Sequence, residues 1–201
     1  MTAAKVDLKK ELRGLYSARR APELIEVPPL TYLMADGGGD PSGPEYSSVV
    51  ESLYGVAYSL KFLAKAEGDD FVVMPLQGLW WADDMDAFLE GSRDDWRWTM
   101  MILQPAVVDE NMVATAIEQV AAKKDLPVLD RVRLEVYEEG AAAQLMHIGP
   151  YSEEAPNIER LHRFIEDSGK QRRGLHHEIY LSDPRRAAPE KMKTIIRQPV
   201  G

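Results

Sequence analysis

The sequence contains no cysteine, which excludes disulfide frameworks, thiolate zinc sites, iron–sulfur ligation and cysteine nucleophiles together. It has no run approaching the ~20 apolar residues that a bilayer-spanning helix needs. Residues Thr2 to Asp7 pass straight into charge without the apolar stretch of a secretory signal, so a cytoplasmic protein off the membrane is expected. Positive charge is scarce: Lys and Arg number 24 against 33 Asp and Glu, a formal net charge of −9. An acidic surface repels phosphate backbones, and the longest basic cluster, Lys170, Arg172 and Arg173, is short; nucleic acid is not an expected partner. What remains is ordinary globular composition, 45% hydrophobic and 28% charged over 201 residues, enough chain to bury a core without a staple.

Hydrophobic spacing divides the chain into elements. Leu8, Leu12, Leu15 and Tyr16 recur at helical intervals, predicting an amphipathic helix over 7–20 that stops before Pro22. Residues 24–27 and 30–34 read as one strand interrupted by Pro28-Pro29. The glycine and proline run from Gly37 to Pro44 is a loop. From Glu45 to Ala66, apolar residues including Tyr54, Tyr58 and Phe62 fall at three- and four-residue steps, a helix. Strands are expected over 71–75, over 78–82 as its continuation or successor, and over 96–104 after an acidic turn. Asp109 is placed to cap a helix that ends at Lys123-Lys124. The second half supplies strands over 131–138 and 142–148, a helix over 151–168, and strands over 177–181 and 191–198.

Those halves repeat one plan. Leu33-Met34-Ala35-Asp36-Gly37 matches Leu145-Met146-His147-Ile148-Gly149, and Trp80-Trp81-Ala82-Asp83 matches Tyr180-Leu181-Ser182-Asp183. Thr99-Met100-Met101-Ile102 matches Thr194-Ile195-Ile196-Arg197, allowing one gap. The fold class is therefore α+β: duplicated strand–helix–strand–strand units related by a pseudo-twofold axis, an antiparallel sheet with helices on one side and a ligand cleft. Residues 1–21 form a helical extension and 22–201 the domain, with halves at about 22–105 and 131–200.

Strand alternation sets His176, Glu178, Tyr180 and Ser182 on one face, with His177, Ile179 and Leu181 opposite. The second face is expected to pack on the helices, leaving Glu178 in the cleft. Trp80, Trp81, Trp96, Trp98, Tyr137, Tyr151 and Tyr180 lie on segments bordering it. On 96–103, Trp96, Trp98, Met100 and Ile102 oppose Arg97, Thr99 and Met101; periodicity leaves open which set lines the cleft. Tyr54 and Tyr58 are one turn apart, facing the core with hydroxyls at the rim. Aromatic walls around one acid suit flat, hydrophobic or cationic molecules. Other chemistries fail. Gly37-Gly38-Gly39-Asp40 lacks the Gly-Lys-Ser/Thr of a phosphate loop, and no Gly-x-Ser-x-Gly elbow occurs. His176 and His177 point to opposite faces, and His147 and His162 have no recognised ligand spacing, so no metal or other cofactor is expected.

Two strings, Met146-His147-Ile148-Gly149-Pro150-Tyr151 and His177-Glu178-Ile179-Tyr180-Leu181-Ser182-Asp183-Pro184, resemble the GyrI-like small-molecule-binding family, with its SOUL/GyrI-like fold. The second resembles the family's Glu-Ile-Tyr-Leu-x-Asp-Pro signature. Leu53-Tyr54-Gly55-Val56-Ala57-Tyr58 and Met74-Pro75-Leu76 with Gly78-Leu79-Trp80-Trp81 resemble a stand-alone branch, and the likeness spans residues 22 to 199. It implies that Glu178 lies at the bottom of the ligand cleft and that Tyr151 borders it. Many relatives carry a DNA-binding helix-turn-helix domain; about twenty residues precede the repeat here, too few for one. Some stand-alone relatives hydrolyse cyclopropane-bearing DNA-alkylating natural products. That likeness implies Glu178 as the base or orienter of water, Tyr137 or Tyr180 as donor to the carbonyl that gains charge, and Trp81 and Trp98 as stacking surfaces. An apolar cleft would raise the Glu178 pKa. Tyr151, Tyr54, Met101 and His147 complete the expected ligand-binding set. Two other readings compete: a protein that sequesters such compounds unchanged, and, less favoured, one whose acidic surface engages DNA gyrase.

Overall fold

A computed structural model of the protein describes residues 5–82 and 93–201. Residues 1–4 and the 83–92 part of the expected acidic turn, with Asp83 of the repeat match, lie outside the described residues. In chain order the elements are α1 (Leu8–Glu11), β1 (Glu23–Val27), β2 (Leu30–Gly38), α2 (Pro44–Glu67), β3 (Leu76–Trp81), β4 (Arg97–Leu103), α3 (Glu110–Ala121), β5 (Arg133–Tyr137), β6 (Gly140–Ile148), α4 (Ala155–Asp167), β7 (His176–Tyr180) and β8 (Lys193–Pro199). The architecture is α+β, with one eight-stranded sheet in the order β1-β6-β8-β7-β3-β4-β2-β5. Each neighbouring pair in that order is antiparallel.

Local chemistry explains the clearest boundaries. Pro44 opens α2, where its missing N–H costs nothing, and Gly68 closes it in the left-handed region at φ 106°. Asp109 caps α3 by accepting from the Met112 N–H at 2.8 Å. The interrupted strand is a single ribbon. Glu23 pairs opposite Gln144 and Val27 opposite Gly140, and past Pro28-Pro29 the same register resumes with Leu30 opposite Tyr137 and Met34 opposite Arg133. β1–β2 and β5–β6 therefore run side by side along their length, so each half lends an arm to the other.

Three element assignments change, the smallest being Gly37 and Gly38, expected in a loop, which pair with Trp98 and Arg97 as the end of β2. The helix predicted over 7–20 is only Leu8–Glu11. Beyond it the carbonyls of Gly14, Leu15 and Arg19 accept from Gln144, Arg197 and the Met146 N–H, respectively. Leu15 and Tyr16 are buried against the sheet rather than spaced around a helix. Likewise 71–75 is not a strand: Phe71 makes an isolated bridge to Val6, and the strand begins at Leu76.

Directly opposed residues share a sheet face. Gly78 lies opposite both Met100 and Glu178, Trp80 opposite both Trp98 and His176, and Tyr180 opposite Thr194. That face carries the helices: α2 packs on β2 and β4, and α4 on β6 and β8. Glu178 is thus on the helix side, and Ile179 faces away from the helices, the reverse of the expectation. The reason is the spacing of the helices: each covers the outer strands of its own half, leaving the β3–β7 seam between them.

The rear face holds a buried polar network. Arg197 donates to Glu139 at 3.0 Å and to Gln144 at 3.0 Å, and His177 Nδ1 donates to Glu139 at 2.8 Å. Gln77 bridges His177 Nε2, at 2.9 Å, and the Tyr16 hydroxyl, at 2.7 Å. Burial alone would raise the Glu139 pKa, but His177 and Arg197 overcome it and hold it at about 2. Arg197→Leu, which strands that carboxylate, should lower unfolding free energy by about 3–5 kcal/mol in urea titration. Because the Glu139 pKa is depressed in the folded state, its contribution to stability should be full above the ordinary glutamate value of about 4.3 and be lost as pH drops through about 2. Thermal melts across that window, with Glu139→Gln as control, measure it.

Candidate functional site

Opposite Glu178, at Gly78 of β3, the sheet floor of the seam has no side chain of its own. A Cβ on Gly78 would lie 2.5 Å from Met100 Cε, 2.6 Å from Trp80 Nε1 and 3.0 Å from the Tyr180 hydroxyl. Those groups close over the glycine and meet there. Trp80 Nε1 donates to the Tyr180 hydroxyl at 2.9 Å, and that hydroxyl donates to Glu178 Oε2 at 2.8 Å. His176 Nε2 donates to Glu178 Oε1 at 3.1 Å. The Glu178 side chain is 13% exposed. Burial by itself would raise its pKa, but the donors outweigh burial, so Glu178 is held below the ordinary value and ionised. This overturns the expectation of a raised pKa.

A second carboxyl lies against it. Glu154, just before α4, is buried and hydrogen-bonded to Glu178. Burial first, then the Glu178 charge, pushes its pKa well above the carboxylate range. Aromatic rings wall the group. Tyr46 of α2 stacks on Trp80 with centroids 6.2 Å apart and meets Trp98 edge-on at 5.3 Å; Trp96 meets Trp80 edge-on at 5.7 Å. Tyr151 sets its ring edge-on to Tyr180 at 5.6 Å and is 41% exposed. Burial lifts the Tyr151 hydroxyl to about 12.

Of the residues expected from the sequence, the fold brings Glu178, Tyr180 and Tyr151 together. Tyr54 is half-buried nearby, its hydroxyl bonded to the Leu76 backbone, whereas Tyr58 and Phe62 are exposed, not core-facing. Trp98 is on the site face but fully buried, its indole donating to the Gly39 carbonyl at 3.1 Å; it backs Tyr46 and Trp80. Trp81 alternates to the rear face opposite Arg97. Met101, opposite Gln77 and Met34, is buried on that rear face too. Tyr137 sits across the sheet beside Glu139, away from Glu178. His147 is buried as a latch, with Nε2 donating to the Pro150 carbonyl at 3.1 Å and Nδ1 accepting from Asn157 at 2.8 Å. It shapes the Gly-Pro-Tyr turn that presents Tyr151. Trp80, on a segment expected to border the cleft, and His176, on the Glu178 face, carry no expected role, and Tyr46 and Glu154 are absent from the expected site. Parity with Gly78 and with Glu178 marks Trp80 and His176; nothing in Ser152-Glu153-Glu154 distinguishes Glu154 from a surface acid. Among the described residues no group of three or more His, Asp or Glu is placed to hold a metal, and no helix is long and apolar enough to cross a membrane.

A family model for the GyrI-like small molecule binding domain matches residues 20–200. The chain belongs to that GyrI-like family. A crystal structure of an uncharacterized conserved protein from Listeria innocua is 44% identical with a TM-score of 0.90, covering 98% of this chain and all of that one. A second Listeria innocua structure, described as a hydrolase, has the same identity and coverage and a TM-score of 0.87. The EcmrR C-terminal domain shares the fold, with a TM-score of 0.56 at 14% identity, covering 90% of this chain and 96% of that one. Among curated proteins, none matches. In this GyrI-like chain the geometry singles out one tryptophan. Trp80 is itself buried, so Trp80→Ala should weaken binding of a flat aromatic cation such as an acridine dye by about tenfold by removing the ring behind Tyr46 and the donor to Tyr180, while Trp81→Ala leaves it unchanged. Fluorescence titration separates the two.

Proposed function

We infer that this protein binds flat hydrophobic or cationic molecules between α2 and α4 and opens an activated cyclopropane in them by adding water. The observation that carries the reading is an ionised, largely buried Glu178 seated among Trp80, Tyr46, Tyr151 and Tyr180 at the seam of the two halves. A cyclopropane conjugated to a dienone is a strained electrophile, and attack needs only a positioned water. Rings on either side hold the flat skeleton and exclude bulk solvent, which strengthens the carboxylate's field. Glu178 accepts a hydrogen from water and aligns its oxygen with the ring carbon. His176 and Tyr180 fix the carboxylate, so its orientation is set before the ligand arrives. The hydrolase description of a 44% identical relative supports catalysis over binding alone.

Sequestration without chemistry is the competing reading, favoured by the same ionised carboxylate among rings, a good seat for a cation. Incubation with a cyclopropane-bearing alkylator, followed by mass spectrometry, distinguishes them: hydrolysis yields a product heavier by one water, whereas sequestration quenches tryptophan fluorescence and returns the compound intact. Glu178→Gln should lower turnover by about 10²-fold or more with binding largely preserved. Since the Glu178 pKa is depressed, the acid limb of kcat/KM should lie below the ordinary glutamate value of about 4.3, and activity should persist down to that limb.

A further inference from the structure

We propose that Glu154 is a second catalytic carboxyl of this site, carrying the proton that the ligand's oxygen receives as the ring opens. The inference rests on the hydrolytic reading above and adds the group that reading lacks. A proton donor was expected from Tyr180 or Tyr137. Tyr180, however, gives its hydroxyl hydrogen to Glu178 at 2.8 Å and is made a still weaker acid than a free phenol by burial, and Tyr137 lies beside Glu139 on the rear face.

Glu154 meets the requirement. It is 5% exposed, and its carboxyl is hydrogen-bonded to that of Glu178. A bond between two carboxyls needs a proton, and two carboxylates in contact cannot both stay ionised. Glu178 accepts from His176 and Tyr180, which stabilises charge there, so the proton resides on Glu154. The Glu154 side chain makes no capping bond to the α4 amides. It also accepts from the Thr194 hydroxyl of β8, which favours the charged form but is outweighed by burial and by the Glu178 charge. The other titratable groups around the pair are His176, Tyr46, Tyr151 and Tyr180. Burial pushes all three tyrosines upward, leaving Glu154 the more acidic donor.

The step balances. The water oxygen bonds to the ring carbon as the strained carbon–carbon bond breaks, and that electron pair moves through the conjugated system to the carbonyl oxygen. Glu178 takes a water proton, while the Glu154 hydroxyl turns to that oxygen and protonates it. The proton on Glu178 then crosses the contact to Glu154, restoring the pair with one water added to the ligand.

Glu154→Gln is the decisive variant, because an amide still donates to Glu178 but carries no transferable proton. With a cyclopropane-bearing alkylator, kcat should fall by about 10²-fold, fluorescence-measured binding should hold, and the alkaline limb of the wild-type pH profile should vanish. A second readout needs no turnover. The folded protein keeps a proton that the unfolded chain releases above about pH 4.3, so wild-type stability should fall as pH rises. The melting temperature of Glu154→Gln should therefore gain on wild type between pH 5 and pH 8. Wild-type turnover with an unimpaired Gln variant, or a melting difference flat with pH, overturns the role of Glu154 alone. An inert wild type overturns the hydrolytic reading, and this one with it.

Discussion

A carboxylate 13% exposed stays ionised only where donors replace the water it has lost, and the arrangement around β7 does that for Glu178. His176 and Tyr180 sit two residues to either side on the same strand face, so strand alternation alone delivers both donors to one acid. Trp80 then donates to the Tyr180 hydroxyl, fixing the direction in which that hydroxyl gives its hydrogen. Pairing of β7 with β3 thereby determines a charge state as well as a position.

The odd-numbered residues of the same strand do the opposite task. His177 and Ile179 face away from the helices, His177 into the network with Glu139, Arg197 and Gln77. That network also grips the backbone of residues 14–15. The short strand is clamped from behind while its front holds the acid, so the site rests on a rigid element rather than a loop. Loop-borne residues enter from the segment latched by His147, which presents Tyr151 at the rim and Glu154 against the acid.

Much of this was legible in the sequence. Helical spacing marked α2, a single aspartate marked the start of α3, and the double proline marked the break in a ribbon whose register nonetheless runs through. Alternation put His176, Glu178 and Tyr180 on a common face. It failed for residues 7–20, because Leu8, Leu12, Leu15 and Tyr16 have helical spacing while the carbonyls beyond Glu11 bond to the sheet instead. Periodicity also states which residues share a face, never what covers that face; hence Trp81 and Met101 were placed beside the acid although their parity sends them behind it. Glu154 carries no local signal at all. Its surroundings come from α4, β7 and β8, assembled from separate parts of the chain.

The repeat match of Trp80 with Tyr180 makes Gly78 the counterpart of Glu178, and the two lie opposite one another on β3 and β7. They straddle the pseudo-axis. A symmetric ancestor with glutamate at both places would press two like charges together where the local dyad passes, and one with glycine at both would have no acid at all. The two halves differ where they meet: one position carries the carboxylate, and its counterpart has no side chain, which leaves room for the groups around it. The candidate site thus coincides with a break in the internal symmetry of the molecule.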